Sequence, residues 1–282
     1  MDIRLLALDI DGTLMDAQKR FPEINCRALQ ECEARGIRVA LVSGRSFELM
    51  RQFARELGVH PLMAACHGAR IEAGEDGPTI AEFGFARADA ERICRTLEES
   101  GMYFNVYRRG KCYMGNPEVR PSLGERYAHH IPPGLSGEPG YPYETVCDRD
   151  RLWSEGMERV YKFVVMGAPY DPGFGRIREK LADMNLSVSS ASRRNTEFMP
   201  AGVDKGSAVA VLCRAVGVTP EQVMAFGDQT NDIPMLAASG WAVAMENAEE
   251  AVKHAARLIA PDHNLGGVGM VLEKYVLGGE AP

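Results

Sequence analysis

The sequence lacks the features that mark several classes of protein. Its seven cysteines contain no C-x-x-C pair and no zinc-like spacing. No apolar run is long enough to cross a bilayer, and the amino terminus lacks the basic stretch, long apolar core and small-residue cleavage site of a secretory signal. We therefore expect a cytoplasmic protein with reduced thiols and no membrane segment.

An excess of basic charge is also absent. The 282 residues include 32 Lys and Arg against 39 Asp and Glu, which gives a net charge of −7. A nucleic-acid-binding protein needs a concentrated basic face, so we expect no nucleic-acid partner. The length allows either one large domain or a core with an inserted second domain. Nothing in the sequence indicates an oligomeric state.

Two parts of the sequence alternate short apolar runs with amphipathic helical patterns. Near the amino terminus the runs include "IRLLALDI" and "IRVALVSGR", and after about residue 200 the same alternation returns with "VMAFGD" and "WAVAME". Such alternation is typical of βαβ units. It predicts an α/β fold with a Rossmann-like parallel-sheet core, built from residues 1–84 and 193–282.

Residues 85–192 differ from these two parts in composition and pattern. They are richer in Pro, Gly and Tyr, and they include the irregular stretch "IPPGLSGEPGYPYETV". A helical pattern in "ADAERICRTLEES" and a strand pattern in "RVYKFVVMG" are also present. This mixture predicts a separate α+β domain inserted into the core.

Four short motifs fall where predicted strands end or predicted helices begin. They contain Asp9 and Asp11 in "DIDGTL", Ser43, Gly44 and Arg45 in "LVSGR", Lys205 in "GVDKG", and Asp228, Asn231 and Asp232 in "GDQTND". In an open parallel sheet, ligands bind beyond the carboxyl ends of the strands. We therefore expect the four motifs to meet in one crevice, with Asp9 and Asp11 pointing the same way because they are two residues apart on a strand.

Four carboxylates in one crevice would repel each other unless a cation lay between them. Oxygen-only ligands suit Mg²⁺. A magnesium ion beside a lysine and a hydroxyl donor is suited to holding a phosphoryl group and stabilising its transfer. Taken alone, the pair of aspartates also fits an Asp-rich turn, and the full ordered set of motifs favours the site.

In this order, the four motifs resemble those of the haloacid dehalogenase (HAD) superfamily, and more closely its Cof-type phosphatases. The segments "AVAMENA" and "LGGVGMVLEK" are similar to that subfamily too. The resemblance implies a catalytic core with a large α/β cap, inserted at residues 85–192, that selects the substrate. It also implies a phosphoric monoester hydrolase that uses Mg²⁺ and an aspartyl-phosphate intermediate to hydrolyse a small phosphorylated metabolite, such as a sugar phosphate or a phosphorylated cofactor.

The resemblance further implies a role for each matching residue. Asp9 would be the nucleophile and a metal ligand. Asp11 would be the general acid and then the base, while its backbone carbonyl ligates the metal. Asp228 would be a further metal ligand, supported by Asp232 from outside the coordination sphere. The residues expected to bind phosphate or substrate are Ser43, Gly44, Arg45, Lys205 and Asn231.

Some alternatives stay open at the level of sequence. Arg45 fits either a substrate contact or a surface ion pair, and Asn231 fits a helix cap. His67 stands where the family commonly has Asn, and it fits a pocket wall, a structural position or, less well, a substrate contact. For the whole protein the alternatives are a phosphomannomutase-like phosphotransferase and a non-catalytic metabolite-binding regulator. A degenerate regulator should have lost the nucleophile, the acid or a metal ligand, and none is missing.

Overall fold

The computed structural model describes residues 1–116, 144–146, 148–155, 157, 159–167, 171–190 and 195–278. Residues 131–143 of the irregular stretch lie outside them, as does residue 192, the predicted end of the insertion. The chain divides into two compact units: Met1–Glu82 together with Val203–Pro282, and Phe83–Gly202. Each unit contains its own β-sheet.

The helices and strands follow one another along both units. The strands are β1 (Leu5–Leu8), β2 (Arg38–Val42), β3 (Leu62–Ala65), β4 (Arg70–Glu72), β5 (Thr79–Glu82), β6 (Tyr103–Arg108), β7 (Lys111–Gly115), β8 (Glu144–Val146), β9 (Val160–Met166), β10 (Leu186–Ser189), β11 (Asn195–Pro200), β12 (Val223–Gly227), β13 (Trp241–Met245) and β14 (Leu258–Ala260). The helices are α1 (Glu23–Ala34), α2 (Phe47–Leu57), α3 (Arg87–Ser100), α4 (Arg149–Glu155), α5 (Pro172–Lys180), α6 (Lys205–Val216), α7 (Ile233–Ala237), α8 (Glu250–Ala255) and α9 (Gly267–Tyr275).

The first unit contains a sheet in the order β14-β13-β12-β1-β2-β3-β4-β5. The strands from β14 to β3 are parallel, which confirms the predicted α/β core with a parallel sheet. Strands β4 and β5 extend it as an antiparallel edge that the sequence analysis did not predict. All four residues of β1 are fully buried, as expected for a strand covered on both faces. Burial of each leucine contributes about 1.5–3 kcal/mol.

The order of strands reverses at β1, which lies between β12 and β2. In sheets of this kind the crevice at such a reversal is where ligands bind. Asp9 directly follows β1, Ser43 follows β2 and Asp228 follows β12. The backbone N–H of Asp9 still donates to the carbonyl of Phe226, 3.1 Å away, so the pairing of β1 and β12 continues up to the first aspartate. The topology thus brings three of the four motifs to one edge of the sheet.

The second unit contains a sheet in the order β10-β11-β9-β6-β7-β8. Its pairs are antiparallel except for β7 with β8. The core of the unit combines residues of the sheet with residues of α3 and α5, among them Phe104, Val106, Phe163, Val165, Phe198, Ile93, Leu97 and Ile177. The unit extends to Gly202, past the predicted boundary at 192, because β11 pairs with β9 and β10. Selection of the substrate by this unit stays a prediction.

The described cysteines are thiols, and none of them forms a disulfide. They are Cys26, Cys32, Cys66, Cys94, Cys112 and Cys213, and all except Cys26 are buried. Cys147 lies outside the described residues. Within the part of the chain that the structure describes, the helices are too short or too polar to cross a membrane.

Asn25 is a buried polar link within the first unit. Its Nδ2 donates to the carbonyl of Leu14, at 3.0 Å, and its Oδ1 accepts from the N–H of Gly269, at 2.7 Å. Leu14 is the last residue of the motif "DIDGTL" that begins with Asp9, and Gly269 lies in the first turn of α9. Because these backbone groups are buried, water cannot reach them, and Asn25 supplies the hydrogen bonds that they need.

We predict that Asn25→Ala lowers the free energy of unfolding by about 2–4 kcal/mol, because it leaves two buried backbone groups without a partner. Urea denaturation followed by circular dichroism measures the change. Asn185→Ala, at an exposed position of the second unit, is the control and should stay within about 0.5 kcal/mol of wild type. Equal stabilities of the two variants would contradict the account of Asn25.

Candidate active site

The crevice at the end of β1 and β12 gathers three carboxylates. Asp9 and Asp228 are each only 6% exposed, and Asp232 is fully buried. Oxygen atoms of the three side chains lie within 4.8 Å of one another. Burial of several like charges at this distance is costly unless cations offset them. The sequence motifs therefore do meet in space, and the question is what balances their charge.

Lys205 supplies one cation to this cluster. Its Nζ donates to Asp9 Oδ1 at 2.6 Å and to Asp232 Oδ1 at 2.5 Å. The residue is 1% exposed although it begins α6, where a positive charge opposes the helix dipole. The N-terminus of that helix is instead capped by Asp204, which accepts from the N–H of Ser207. Burial lowers the pKa of Lys205, but the charges of Asp232 and Asp9 outweigh it and hold the pKa above its usual range.

Asp232 is held by its own turn as well as by Lys205. Its Oδ2 accepts from the N–H of Asp228 at 2.9 Å and from that of Gln229 at 3.0 Å. The carboxylate thereby caps the 3₁₀ turn Thr230–Asp232. The helix that follows, α7, has Asp232 and not Asn231 at its N-cap position. Asn231 Oδ1 is buried and has no hydrogen-bond partner among the described residues.

Asp228 is fixed by groups from both ends of the chain. Thr13 Oγ1 donates to Asp228 Oδ1 at 3.1 Å, and the carbonyl of Asp228 accepts from the N–H of Glu249. Gly12 has a left-handed φ of 77°, and a Cβ at this position would collide with the Asp228 carboxylate. Asn247 donates to the carbonyl of Gly12 at 2.8 Å. The sequence analysis missed Thr13 and Asn247; the "GT" that follows Asp11 was the available signal for Thr13.

Two of the three carboxylates bind protons more tightly than an ordinary aspartate. Burial, with a smaller contribution from the charge of Asp232, raises the pKa of Asp9 to about 7 against the opposing charge of Lys205. Burial and the neighbouring Asp9 and Asp232 raise the pKa of Asp228 to about 8. Lys205 alone therefore does not offset the negative charge of the cluster.

Asp11 has a different environment from Asp9. Arg45 donates to both of its oxygens, from Nε to Oδ2 at 2.5 Å and from Nη2 to Oδ1 at 2.7 Å. Lys19 Nζ donates to Oδ1 at 2.8 Å. Burial on its own would raise the pKa of Asp11, but the charges and hydrogen bonds of Arg45 and Lys19 hold it well below its usual range.

The loop that follows β2 is shaped by His67. Ser43 is 2% exposed, and its Oγ accepts from the N–H of Arg45 at 3.3 Å, so the hydroxyl can still donate its own proton. A Cβ on Gly44 would lie 2.7 Å from His67 Nε2, so a larger residue there would displace the imidazole. His67 and Cys66 both have left-handed φ values, 59° and 49°, and their N–H groups donate to the carbonyls of Ser43 and Arg45. His67 is thus a buried support of the loop.

Comparisons with known proteins identify relatives of this chain. Residues 6–272 match the family model of haloacid dehalogenase-like hydrolases. A phosphoglycolate phosphatase of Methanopyrus kandleri is 32% identical over 96% of this chain and 97% of its own. A 5-amino-6-(5-phospho-D-ribitylamino)uracil phosphatase of Bacillus subtilis is 24% identical over 98% of this chain and 97% of its own. A haloacid dehalogenase-like hydrolase of Bacteroides thetaiotaomicron matches with a TM-score of 0.82 and 24% identity, covering 96% of this chain and 99% of that chain.

The family match runs across both segments of the first unit and through the second unit. It confirms the resemblance carried by the four motifs. The names of the curated relatives agree with the expected enzyme class, a phosphoric monoester hydrolase. The chain therefore belongs to the haloacid dehalogenase-like hydrolases.

Proposed function

We propose that this protein is a Mg²⁺-dependent phosphatase that hydrolyses a small phosphorylated metabolite through an aspartyl-phosphate on Asp9. The observation that carries the proposal is the contrast between Asp9 and Asp11, two residues apart. Asp9 is buried against Lys205, whereas Asp11 is bound by Arg45 and Lys19. The phosphatases of small metabolites among the relatives support the substrate class.

The reaction uses the two aspartates in turn. A carboxylate oxygen of Asp9 attacks phosphorus, and the bond from phosphorus to the ester oxygen breaks. The departing alkoxide takes a proton from Asp11. Water then attacks the phosphoryl group and gives a proton back to Asp11, while the bond from Asp9 to phosphorus breaks. Inorganic phosphate and free enzyme result, so protons and electron pairs balance.

Asp11 must carry a proton in the first step, although its two cationic neighbours favour the ionised form in the free protein. A bound phosphoester dianion brings negative charge next to Asp11 and attracts the Arg45 guanidinium. Both effects favour the protonated carboxyl. Substrate binding thereby prepares the acid for the step that needs it.

The phosphoryl group is held by the loop after β2 and by residues from the carboxyl-terminal half. Ser43 donates from its hydroxyl, Gly44 allows the backbone to approach closely, and Lys205 supplies charge next to Asp9. Asn231 supplies a side-chain amide whose NH₂ group donates to a phosphoryl oxygen. Together these groups neutralise and orient the phosphoryl oxygens.

The donor atoms fit a magnesium ion. The carboxylates of Asp9 and Asp228 and the backbone carbonyl of Asp11 offer the hard oxygen ligands that Mg²⁺ prefers, with Asp232 supporting them from behind. Burial and the neighbouring negative charge raise the pKa values of Asp9 and Asp228, and a divalent cation would offset that charge. When bound, Mg²⁺ supplies positive charge that stabilises the developing charge on the phosphoryl oxygens.

We predict that Asp228→Asn raises the melting temperature of the metal-free protein at pH 8 by about 3 °C or more. The folded protein raises the pKa of Asp228 from 3.8 to about 8, so the cost of burying the ionised group grows as the pH rises between these values. The advantage of the variant should therefore be smaller at pH 5.

Addition of Mg²⁺ should raise the melting temperature of the wild type and have little effect on Asp228→Asn, because a ligand that binds only the folded state stabilises it. Asp89→Asn, at an exposed position of α3, serves as the control and should follow the wild type. If Mg²⁺ stabilised all three proteins equally, the assignment of Asp228 as a ligand would be wrong.

We predict that Asp9→Asn lowers Mg²⁺-dependent phosphate release roughly a thousandfold or more, because an amide cannot replace the nucleophilic carboxylate. Turnover of p-nitrophenyl phosphate and of a panel of phosphorylated metabolites measures the loss. Circular dichroism should show a folded variant, and Asp89→Asn should keep activity within about twofold of wild type. Unchanged turnover by the folded Asp9→Asn variant would refute the mechanism.

A further inference from the structure

We infer that Lys19 is a positioning residue for Asp11, an inference that rests on the proposed function. Lys19 belongs to none of the four motifs. Its Nζ nevertheless lies 2.8 Å from Asp11 Oδ1, across eight positions of sequence. The polar segment "DAQKRF" suggests a solvent-exposed lysine, but the Lys19 side chain is only 23% exposed.

A tight turn built on Asp16 brings Lys19 back towards Asp11. The N–H of Asp16 donates to the carbonyl of Arg20 at 2.9 Å, and the N–H of Lys19 donates to the carbonyl of Asp16 at 3.0 Å. The buried Asp16 carboxylate accepts from the backbone N–H of Arg20 at 2.8 Å and from its Nε at 3.0 Å. The turn is therefore closed by both backbone and side-chain hydrogen bonds.

Lys19 occupies a backbone conformation that favours glycine. Its φ is 61°, in the left-handed region, which costs a residue with a side chain roughly 1–2 kcal/mol. Glycine would fit the turn without that cost. The gain that offsets the strain is the contact between the Lys19 ammonium and Asp11.

The turn is also anchored to the rest of the first unit. The N–H of Ala17 donates to Asn264 Oδ1 at 2.9 Å. His263 Nδ1 lies 2.5 Å from the carbonyl of Met15. These contacts tie both sides of the turn to the 3₁₀ segment His263–Leu265. An anchored turn can hold an ammonium group at a fixed position, which a free loop cannot.

The two cations hold Asp11 unequally. Oδ1 accepts from both Lys19 and Arg45, whereas Oδ2 accepts from Arg45. Since each carboxylate oxygen has two lone pairs, the described contacts occupy Oδ1 and leave capacity on Oδ2. Lys19 thereby fixes the rotation of the carboxyl group, and Oδ2 is the oxygen that carries the proton to the leaving group once bound substrate favours the protonated form.

The test compares leaving groups of different basicity. Wild type, Lys19→Met and Lys19→Arg are assayed for kcat and KM with p-nitrophenyl, phenyl and 4-methylphenyl phosphate in Mg²⁺. The matched control is Lys253→Met, because Lys253 is a similarly exposed lysine that pairs with Glu250 on α8 at 3.0 Å. Melting temperatures verify folding, and Lys19→Gln replaces Lys19→Met if the latter does not fold.

We expect Lys19→Met to lower kcat/KM roughly tenfold or more with phenyl and 4-methylphenyl phosphate, and less than about threefold with p-nitrophenyl phosphate. Nitrophenolate leaves without a proton, so it does not depend on a well-placed Asp11. Lys19→Arg and Lys253→Met should keep the wild-type dependence on the leaving group.

The inference would be overturned by an equal loss with all three esters, by no loss, or by a change in KM alone. In each case Lys19 would not position Asp11, and would instead bind phosphate, support the fold or do neither. The proposed function fails by a different result. It fails if wild type shows no metal-dependent hydrolysis, or if Asp9→Asn remains active.

Discussion

The buried contact of Lys205 with Asp9 and Asp232 is the interaction on which the site depends. It joins residues 196 positions apart in the chain, so it forms only when the two segments of the first unit close into one sheet. It also leaves a cluster of three carboxylates with a single ammonium group, so their negative charge is only partly balanced. Burial raises the pKa of Asp9 and Asp228, and the negative charge that one ammonium leaves uncompensated among three carboxylates adds to this effect, so the crevice suits a divalent cation.

The same crevice gives two identical side chains different chemistry. Asp9 lies at the end of a fully buried strand, where burial dominates its electrostatics. Asp11 lies two residues further on and is bound by Arg45 and Lys19. Gly12 follows with a left-handed φ, and a side chain at its position would collide with the Asp228 carboxylate. In the proposed mechanism this difference in partners separates the nucleophile from the acid.

Much of the core could be predicted from the sequence, because a strand buried on both faces must be apolar throughout, as β1 is. Polar residues directly after such strands lie at the carboxyl edge of the parallel sheet, where ligands bind. The motifs after β1, β2 and β12 follow this rule. Strand β11 could not be read from "NTEFMP", since its identity depends on pairing with β9 and β10. Lys19 was also missed: its contact depends on a left-handed backbone fixed by Asp16, which "DAQKRF" does not reveal.

The central claim is that Asp9 carries the phosphoryl group during turnover. Rapid quenching of the enzyme with a phosphoester and Mg²⁺, followed by borohydride reduction and peptide mass spectrometry, tests it directly. Borohydride reduces an acyl phosphate to the alcohol, so the account predicts homoserine at position 9, formed only when the substrate is present. Rapid turnover with Asp9 unmodified in the quenched enzyme, or with the modification at a different carboxylate, would contradict it.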